Sequence, residues 1–514
     1  MHLCWTRCGL LAALALCACD DESTPLDGGA EAGIDLLSPD LPGVDGLAAD
    51  ADVPDQYTGD IVFFGDSQTA GWPAQMTPGI TGKYLLSPMD GVAFFDLDPA
   101  RPGLEVIASS GDRVYALGAD GAPLAGWPAT VQGTAQAPPS IGDVDGDGLP
   151  EVVQVGRGLQ YSDTSYLNVL DEKGQAQSGW PKAIPNLVFR AATLADLDGD
   201  GAMEIIVQIG KWPPAGDLAV YEGDGTDFGG TAWQHTLDSY PMAPAAVGDL
   251  DGDGKLEVGY LTLGNVTVRQ ADGNLRSGFP VAAEVGHDNE GSVVFADLDP
   301  TTSTLELVWA DVTDTASGPA TVRLWAAGAD GKPLAGFPVT LSSQASGVAD
   351  LVAADVDGDG TLEVVVPVKP SSIYVVSAAG AIVGQPVATA AQMHASVKAV
   401  DLTGDGKLEL LADNNTTDKT GIGYLEAYHA DGSAVADFPL RPFGSTMGDS
   451  GSLADLDGDG NLELAVVTTS TLVQPLTSWV SLWSRGKPAP LDWPIYAADV
   501  RRSNCPRCAS ASTP

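Results

Sequence analysis

Six short stretches concentrate oxygen-bearing side chains at one fixed spacing. Five of them read D-x-D-G-D-G-x-x-E. Their acids are Asp143, Asp145, Asp147 and Glu151; Asp196, Asp198, Asp200 and Glu204; Asp249, Asp251, Asp253 and Glu257; Asp355, Asp357, Asp359 and Glu363; and Asp455, Asp457, Asp459 and Glu463. The sixth has threonine at the second acidic place: Asp401, Thr403, Asp405 and Glu409. Alternation turns positions 1, 3 and 5 toward a common centre, and glycine at positions 4 and 6 lets the backbone curl tightly. The carbonyl at position 7, from Leu149, Ala202, Lys255, Thr361, Lys407 or Asn461, can add an oxygen. Glutamate at position 9 closes the shell. Hard oxygen donors at this density suit Ca²⁺ better than Mg²⁺, which keeps its waters and demands strict octahedral geometry. About five or six calcium sites are therefore expected.

An EF-hand closes its loop with an acid at position 12 and continues as helix. Here the acid comes at position 9, and a strand-like run such as 152–155 follows. Position 2 is always Val or Leu, as suits a side chain aimed into a core. Two further loops, from Asp96 and Asp98 to Glu105 and from Asp297 and Asp299 to Glu306, lack the third aspartate and both glycines. They are expected to be metal-free hairpins or weak sites.

The elements that carry these loops repeat with them. First aspartates stand at 96, 143, 196, 249, 297, 355, 401 and 455. An aromatic-Pro pair tracks them: Trp72-Pro73, Trp127-Pro128, Trp180-Pro181, Tyr240-Pro241, Phe279-Pro280, Phe337-Pro338, Phe438-Pro439 and Trp493-Pro494, with Gln385-Pro386 in one unit. Within a unit, apolar runs alternate with turns such as Asp120-Gly121, Asp272-Gly273 and Asp330-Gly331, and Asp-Gly is a strong hairpin signal. Helical periodicity is absent. Four strands of about 5–6 residues with short loops fill roughly 40–48 residues. The spacing predicts an all-β chain, a β-propeller of four-stranded blades whose radial closure protects its edges. Eight loops point to eight blades; seven blades plus an irregular unit is the alternative. The segment from Asp60 to Pro73 matches only the second half of a unit, so it is expected to complete the last blade. The aromatic-Pro rings are expected to pack between blades.

The net charge is −45, with 69 acidic against 24 basic residues, which excludes a nucleic-acid binder built on a basic face. Anionic membrane surfaces are disfavoured on the same ground. Cysteines occur only at 4, 8, 17, 19, 505 and 508, so no thiol cluster for zinc or iron–sulfur chemistry lies in the long middle. Cys505 and Cys508 form a CxxC, read as a local disulfide in a C-terminal tail over 501–514. Histidines are scattered, and 287–290 is a polar run with catalytic residue types but no partner motif. No G-x-S-x-G, H-E-x-x-H or phosphate-loop pattern appears.

Residues 1–18 read as a signal peptide: His2 and Arg7 precede a short apolar run, too short to span a bilayer, which needs about 20 residues. The stretch 16–19 resembles the lipobox of bacterial lipoproteins, which implies cleavage before Cys19 and lipidation of its thiol. Residues 19–58 are acidic and almost free of aromatics, and are expected to be a disordered tether.

The acidic loops in phase with the repeat resemble those of bacterial FG-GAP/VCBS-type proteins and, more distantly, the integrin α-subunit propeller. The resemblance covers roughly 59–500. It implies a propeller with calcium held between the first two strands of a blade. Integrin ligand recognition does not carry over, because the Gly-Ala-Pro element after the loop and any inserted domain are missing.

Together these readings describe an exported lipoprotein of the outer membrane, cell surface or periplasm-facing leaflet. It would touch the membrane only through its lipid anchor and serve as an adhesion or scaffolding module for a protein or glycan ligand. The alternative is a polysaccharide-degrading, lyase-like enzyme on a calcium-stabilised propeller. With so few Lys and Arg a cationic cleft for an acidic glycan is hard to assemble, so a non-enzyme is expected.

Overall fold

The structure is a computed structural model. It describes residues 68–76 and 91–485, except 159–162, 189, 212–214, 234, 238–242, 263, 284–290, 314–319, 395, 419–420, 447 and 471–476, together with 499 and 505. The signal-peptide, Cys19, tether, Cys508 and 287–290 readings lie outside these residues, as do Tyr240-Pro241 and Trp493-Pro494.

Eight antiparallel sheets follow one another along the chain, each a propeller blade. Blade 1 runs outward through Ala93–Phe95, Glu105–Ser110, Arg113–Leu117 and Ala129–Thr130. Blade 4 runs through Ala246–Gly248, Glu257–Leu261, Asn265–Gln270 and Val281–Ala282. In blades 2 and 6 the innermost strand is split into two pieces that pair with one neighbour. In blade 7 the outer edge is held by isolated bridges from Leu440 and Phe443.

The ring closes through blade 8. Its inner strands are Ser452–Ala454, Leu462–Ser470 and Thr477–Arg485, and its outermost strand is Ala74–Met76 from the other end of the chain. The register sets Ala74 against Val480 and Met76 against Ser478. The strand directly after Pro73 thus completes the last blade, while residues 60–67 of the expected half-unit lie outside the described residues, and the blade number is eight rather than seven.

The middle strands are near-continuous apolar runs, such as Glu363–Lys369, because both faces are covered by neighbouring blades. One core cluster joins Val308 and Leu324 of blade 5 to Val364 and Val366 of blade 6 and Leu410 of blade 7. Full burial of each such side chain contributes about 1.5–3 kcal/mol. Innermost-strand hydroxyls stitch the ring around its axis: Ser140 Oγ donates to Ala192 O (2.6 Å), Thr193 Oγ1 to Ala245 O (3.1 Å) and Ser452 Oγ to Val92 O (3.0 Å).

The aromatic-Pro marker sits between blades, as its spacing suggests. Trp72 Nε1 donates to Ala119 O (3.0 Å) and Trp180 Nε1 to Gly223 O (2.6 Å), each on the next blade. In blade 3 the pair Tyr240-Pro241 lies outside the described residues. There Trp233, in the short 3-10 turn Gly230–Trp233, makes the same kind of contact with the next blade, its Nε1 donating to Ala271 O (3.0 Å). The outer strand of this blade is His235–Leu237.

Candidate metal centre

Each acidic loop joins the first and second strands of its blade, so all lie at one end of the propeller. Position 1 shapes the loop. Asp143 Oδ1 accepts from Gly146 N (2.7 Å) and Oδ2 from Gly148 N (2.9 Å), and Asp196 and Asp249 repeat the pattern. Those glycines need positive φ, with Gly146 at 75° and Gly148 at 86°. Position 2 is buried at Val144, Leu197, Leu250, Val356 and Leu456, and half-buried at Leu402. The N–H of Leu149, Ala202, Lys255, Thr361, Lys407 and Asn461 at position 7 donates to the position-5 carboxylate.

The position-9 glutamates are buried and divide their two oxygens. Oε2 accepts the position-2 N–H, at 2.9 Å in Glu151, 2.6 Å in Glu204, 2.8 Å in Glu257, 2.9 Å in Glu363, 2.7 Å in Glu409 and 3.0 Å in Glu463. That leaves Oε1 for the loop. Burial, followed by the neighbouring aspartates, raises the glutamates: Glu151 and Glu363 to about 7 and Glu204 to about 8. Glu204 is also raised by Glu222, directly after the third strand, itself raised by burial and then by Asp198 and Asp200. A carboxylate cluster at this density binds a dication with a large electrostatic gain.

Five loops bring three acidic side chains together with ligand atoms within 4.8 Å of one another. They are Asp143, Asp145 and Glu151; Asp196, Asp198 and Glu204; Asp249, Asp251 and Glu257; Asp355, Asp357 and Asp359; and Asp455, Asp457 and Asp459. Position 5 therefore stands outside the trio in blades 2, 3 and 4, and position 9 outside it in blades 6 and 8. At 401–409, Asp401, Asp405 and Glu409 form no such trio; Thr403 Oγ1 lies 3.5 Å and His429 Nδ1 3.0 Å from Glu409 Oε1. The two loops from Asp96 and Asp297 keep the buried glutamate, with Glu105 accepting from Leu97 N (2.9 Å) and Glu306 from Leu298 N (2.8 Å), without gathering three acids. The all-oxygen, anionic donor set of the five trios fits Ca²⁺.

Partners that the sequence pattern does not reveal reach the loops from the turn between the third and fourth strands. Gln177 Nε2 lies 3.2 Å from Asp145 Oδ2 and 3.3 Å from Glu151 Oε1. Arg276 holds Asp251 and Glu257 in the same way. The position is Leu124 in blade 1 and Leu334 in blade 5, so no residue type recurs that would mark it.

Cys505 is disulfide-bonded and packs in the core cluster of blades 4 and 5, where a Cβ on Gly248 would lie 3.3 Å from its Sγ. His235 Nε2 lies 3.2 Å from Gly273 O, a backbone contact between blades.

Fold and loops together define an eight-bladed β-propeller with an acidic loop between the first two strands of each blade. The chain carries FG-GAP-like repeats, and that family matches residues 143–207 and 196–260, the loops of blades 2, 3 and 4. No curated protein matches the sequence. Similar solved structures include the V. cholerae biofilm matrix protein Bap1, at 16% identity and TM-score 0.42, covering 81% of this chain and 91% of that one. BBS1N in complex with ARL6DN, soaked with mercury, has 11% identity and TM-score 0.39, covering 66% and 93%.

Proposed function

We propose that the protein is an exported, lipid-anchored calcium-binding propeller that acts as a binding or scaffolding module for a protein or glycan, and not as an enzyme. The observation that supports calcium is the recurrence of three-acid trios in five blades, all at one end of the ring. Calcium there would bind the native state in preference to the unfolded chain and so stabilise it. Which residues hold it differs by blade. Position 1 and position 3 contribute throughout, with Glu at position 9 in blades 2 and 3 and Asp at position 5 in blades 6 and 8. Carbonyls at position 7 complete the shell. The 401–409 loop, with threonine at position 3 and His429 against Glu409, has the fewest acids of the six.

The anchor reading rests on the lipobox-like stretch 16–19 and the acidic run behind it. A lipidated chain partitions into detergent, and Cys19→Ala shifts it to the aqueous phase. For the binding reading, the purified protein is applied to a glycan array and to immobilised polysaccharides, in calcium and in chelator. Calcium-dependent retention of a defined glycan supports a binding module. Release of new unsaturated sugar ends would instead establish the lyase-like alternative.

A further inference from the structure

The acidic trio of blade 4 is met by a permanently charged guanidinium. Arg276 Nη2 lies 2.7 Å from Asp251 Oδ2 and Nη1 3.2 Å from Glu257 Oε1. These are positions 3 and 9, two of the three acids that form the trio with Asp249. The Arg276 side chain is only 12% exposed. In blade 2 the corresponding residue is neutral Gln177, at 3.2 Å and 3.3 Å from the equivalent oxygens.

A third contact fixes Arg276 independently of the acids. Nε donates to Ala329 O of the next blade at 2.9 Å. At other boundaries the equivalent carbonyl is served by an indole, Trp72 to Ala119 O and Trp233 to Ala271 O. Blade 4 has Phe279 at this marker, which carries no N–H. Arg276 supplies the missing donor, so its stem is committed to the blade boundary and its planar fork is delivered onto the loop.

We propose that Arg276 is a built-in counter-ion that occupies the blade-4 loop and excludes calcium from it, so that this loop binds no ion while those of blades 2, 3, 6 and 8 do. The inference rests on the calcium reading of those other loops. Two charge-assisted hydrogen bonds from a rigid guanidinium satisfy the same oxygens a dication would need. A dication in the trio would have to displace a cation held from behind by Ala329. The sequence motif of this loop is complete, so the motif alone overstates the number of sites by one.

The test is calcium stoichiometry. Wild-type chain, Arg276→Gln and Gln177→Arg are equilibrated with calcium, freed of excess ion by dialysis against a buffer of fixed free calcium, and assayed for bound calcium per chain by atomic emission. Arg276→Gln should bind one ion more than wild type and Gln177→Arg one fewer. If Arg276→Gln fails to fold, as judged by its melting curve, Gln177→Arg carries the test alone. Unchanged stoichiometry in the folded variants, with calcium present in the wild type, overturns the counter-ion role and leaves the calcium reading standing. A wild type that retains no calcium overturns both.

Discussion

The amide of Leu408 donates to the carbonyl of Val356 at 3.0 Å, so the acidic loop of blade 7 is hydrogen-bonded to that of blade 6. The same link recurs from Met203 N to Asp143 O (2.9 Å), Leu305 N to Leu250 O (3.2 Å) and Leu104 N to Leu456 O (2.7 Å). Each uses the residue just before the buried glutamate and the start of the preceding loop. The loops therefore belong to the blade boundaries as well as to their own blades, and whatever stiffens a loop also stiffens a boundary.

Close backbone approach at the aromatic-Pro marker gives a second boundary test. Gly278 has φ 96°, and a Cβ there would lie 2.2 Å from Asp330 O of the next blade. Gly254 in the blade-4 loop has φ 85° but nothing within 4 Å. Gly254→Ala is expected to cost about 1–3 kcal/mol through backbone strain alone. Gly278→Ala should cost clearly more, because a backbone carbonyl has to move. Urea unfolding of the two variants compares them, and equal losses would contradict a tight boundary at Gly278.

Ring closure depends on a three-residue strand. Met76 is fully buried against Val106, Val467 and Val480, joining blade 8 to blade 1. Met76→Ala should lower stability by about 2–5 kcal/mol, the range for truncating a buried large side chain. Thermal or urea unfolding measures it. A loss near zero would mean that the terminal strand does not close the ring.

The buried glutamates set a pH dependence for the calcium-free protein. Glu204 is raised from 4.5 to about 8, and Glu151, Glu257 and Glu363 to about 7, with burial the largest cause in each. Between these limits the folded chain holds protons that the unfolded chain has released. The stabilisation is full below the ordinary carboxylate value and is lost as pH rises through 7 to 8. In calcium-free buffer the urea midpoint should therefore fall from about pH 5 to about pH 9. Added calcium, which binds the ionised carboxylates, should reduce or reverse that fall. A calcium-free midpoint that rises over this range would contradict the raised values.

Much of this was legible in the sequence because propeller blades repeat their chemistry. The spacing of Asp143, Asp196 and Asp249 gave the blade length, Asp-Gly pairs marked the outer hairpins, and the half-unit before Pro73 implied closure with the last blade. What stayed hidden depends on contacts between residues remote in sequence. Arg276 meets Asp251 across two intervening strands, and its blade-2 counterpart is Gln177, so no motif announces either. Trp233 Nε1 reaches Ala271 O of the next blade from a short turn that carries no aromatic-Pro pair. Lys398, fully buried on the innermost strand of blade 7, reads as an ordinary surface residue until its Nζ is seen against Ser396 Oγ (3.1 Å) and Ser450 Oγ (2.7 Å).

Calcium coordination by the blade loops is tested most directly by melting temperature against free calcium. The comparison is between the wild type and a chain carrying Asp145→Asn, Asp198→Asn, Asp357→Asn and Asp457→Asn. In each of these aspartates Oδ1 accepts the position-5 N–H, a bond the amide oxygen keeps. A site at free calcium a hundredfold above its dissociation constant adds about 2.7 kcal/mol. The wild-type melting temperature should climb with calcium and fall back in chelator, while the substituted chain should show little or no rise. A wild-type melting temperature indifferent to calcium, or an undiminished rise in the substituted chain, would contradict coordination at these loops.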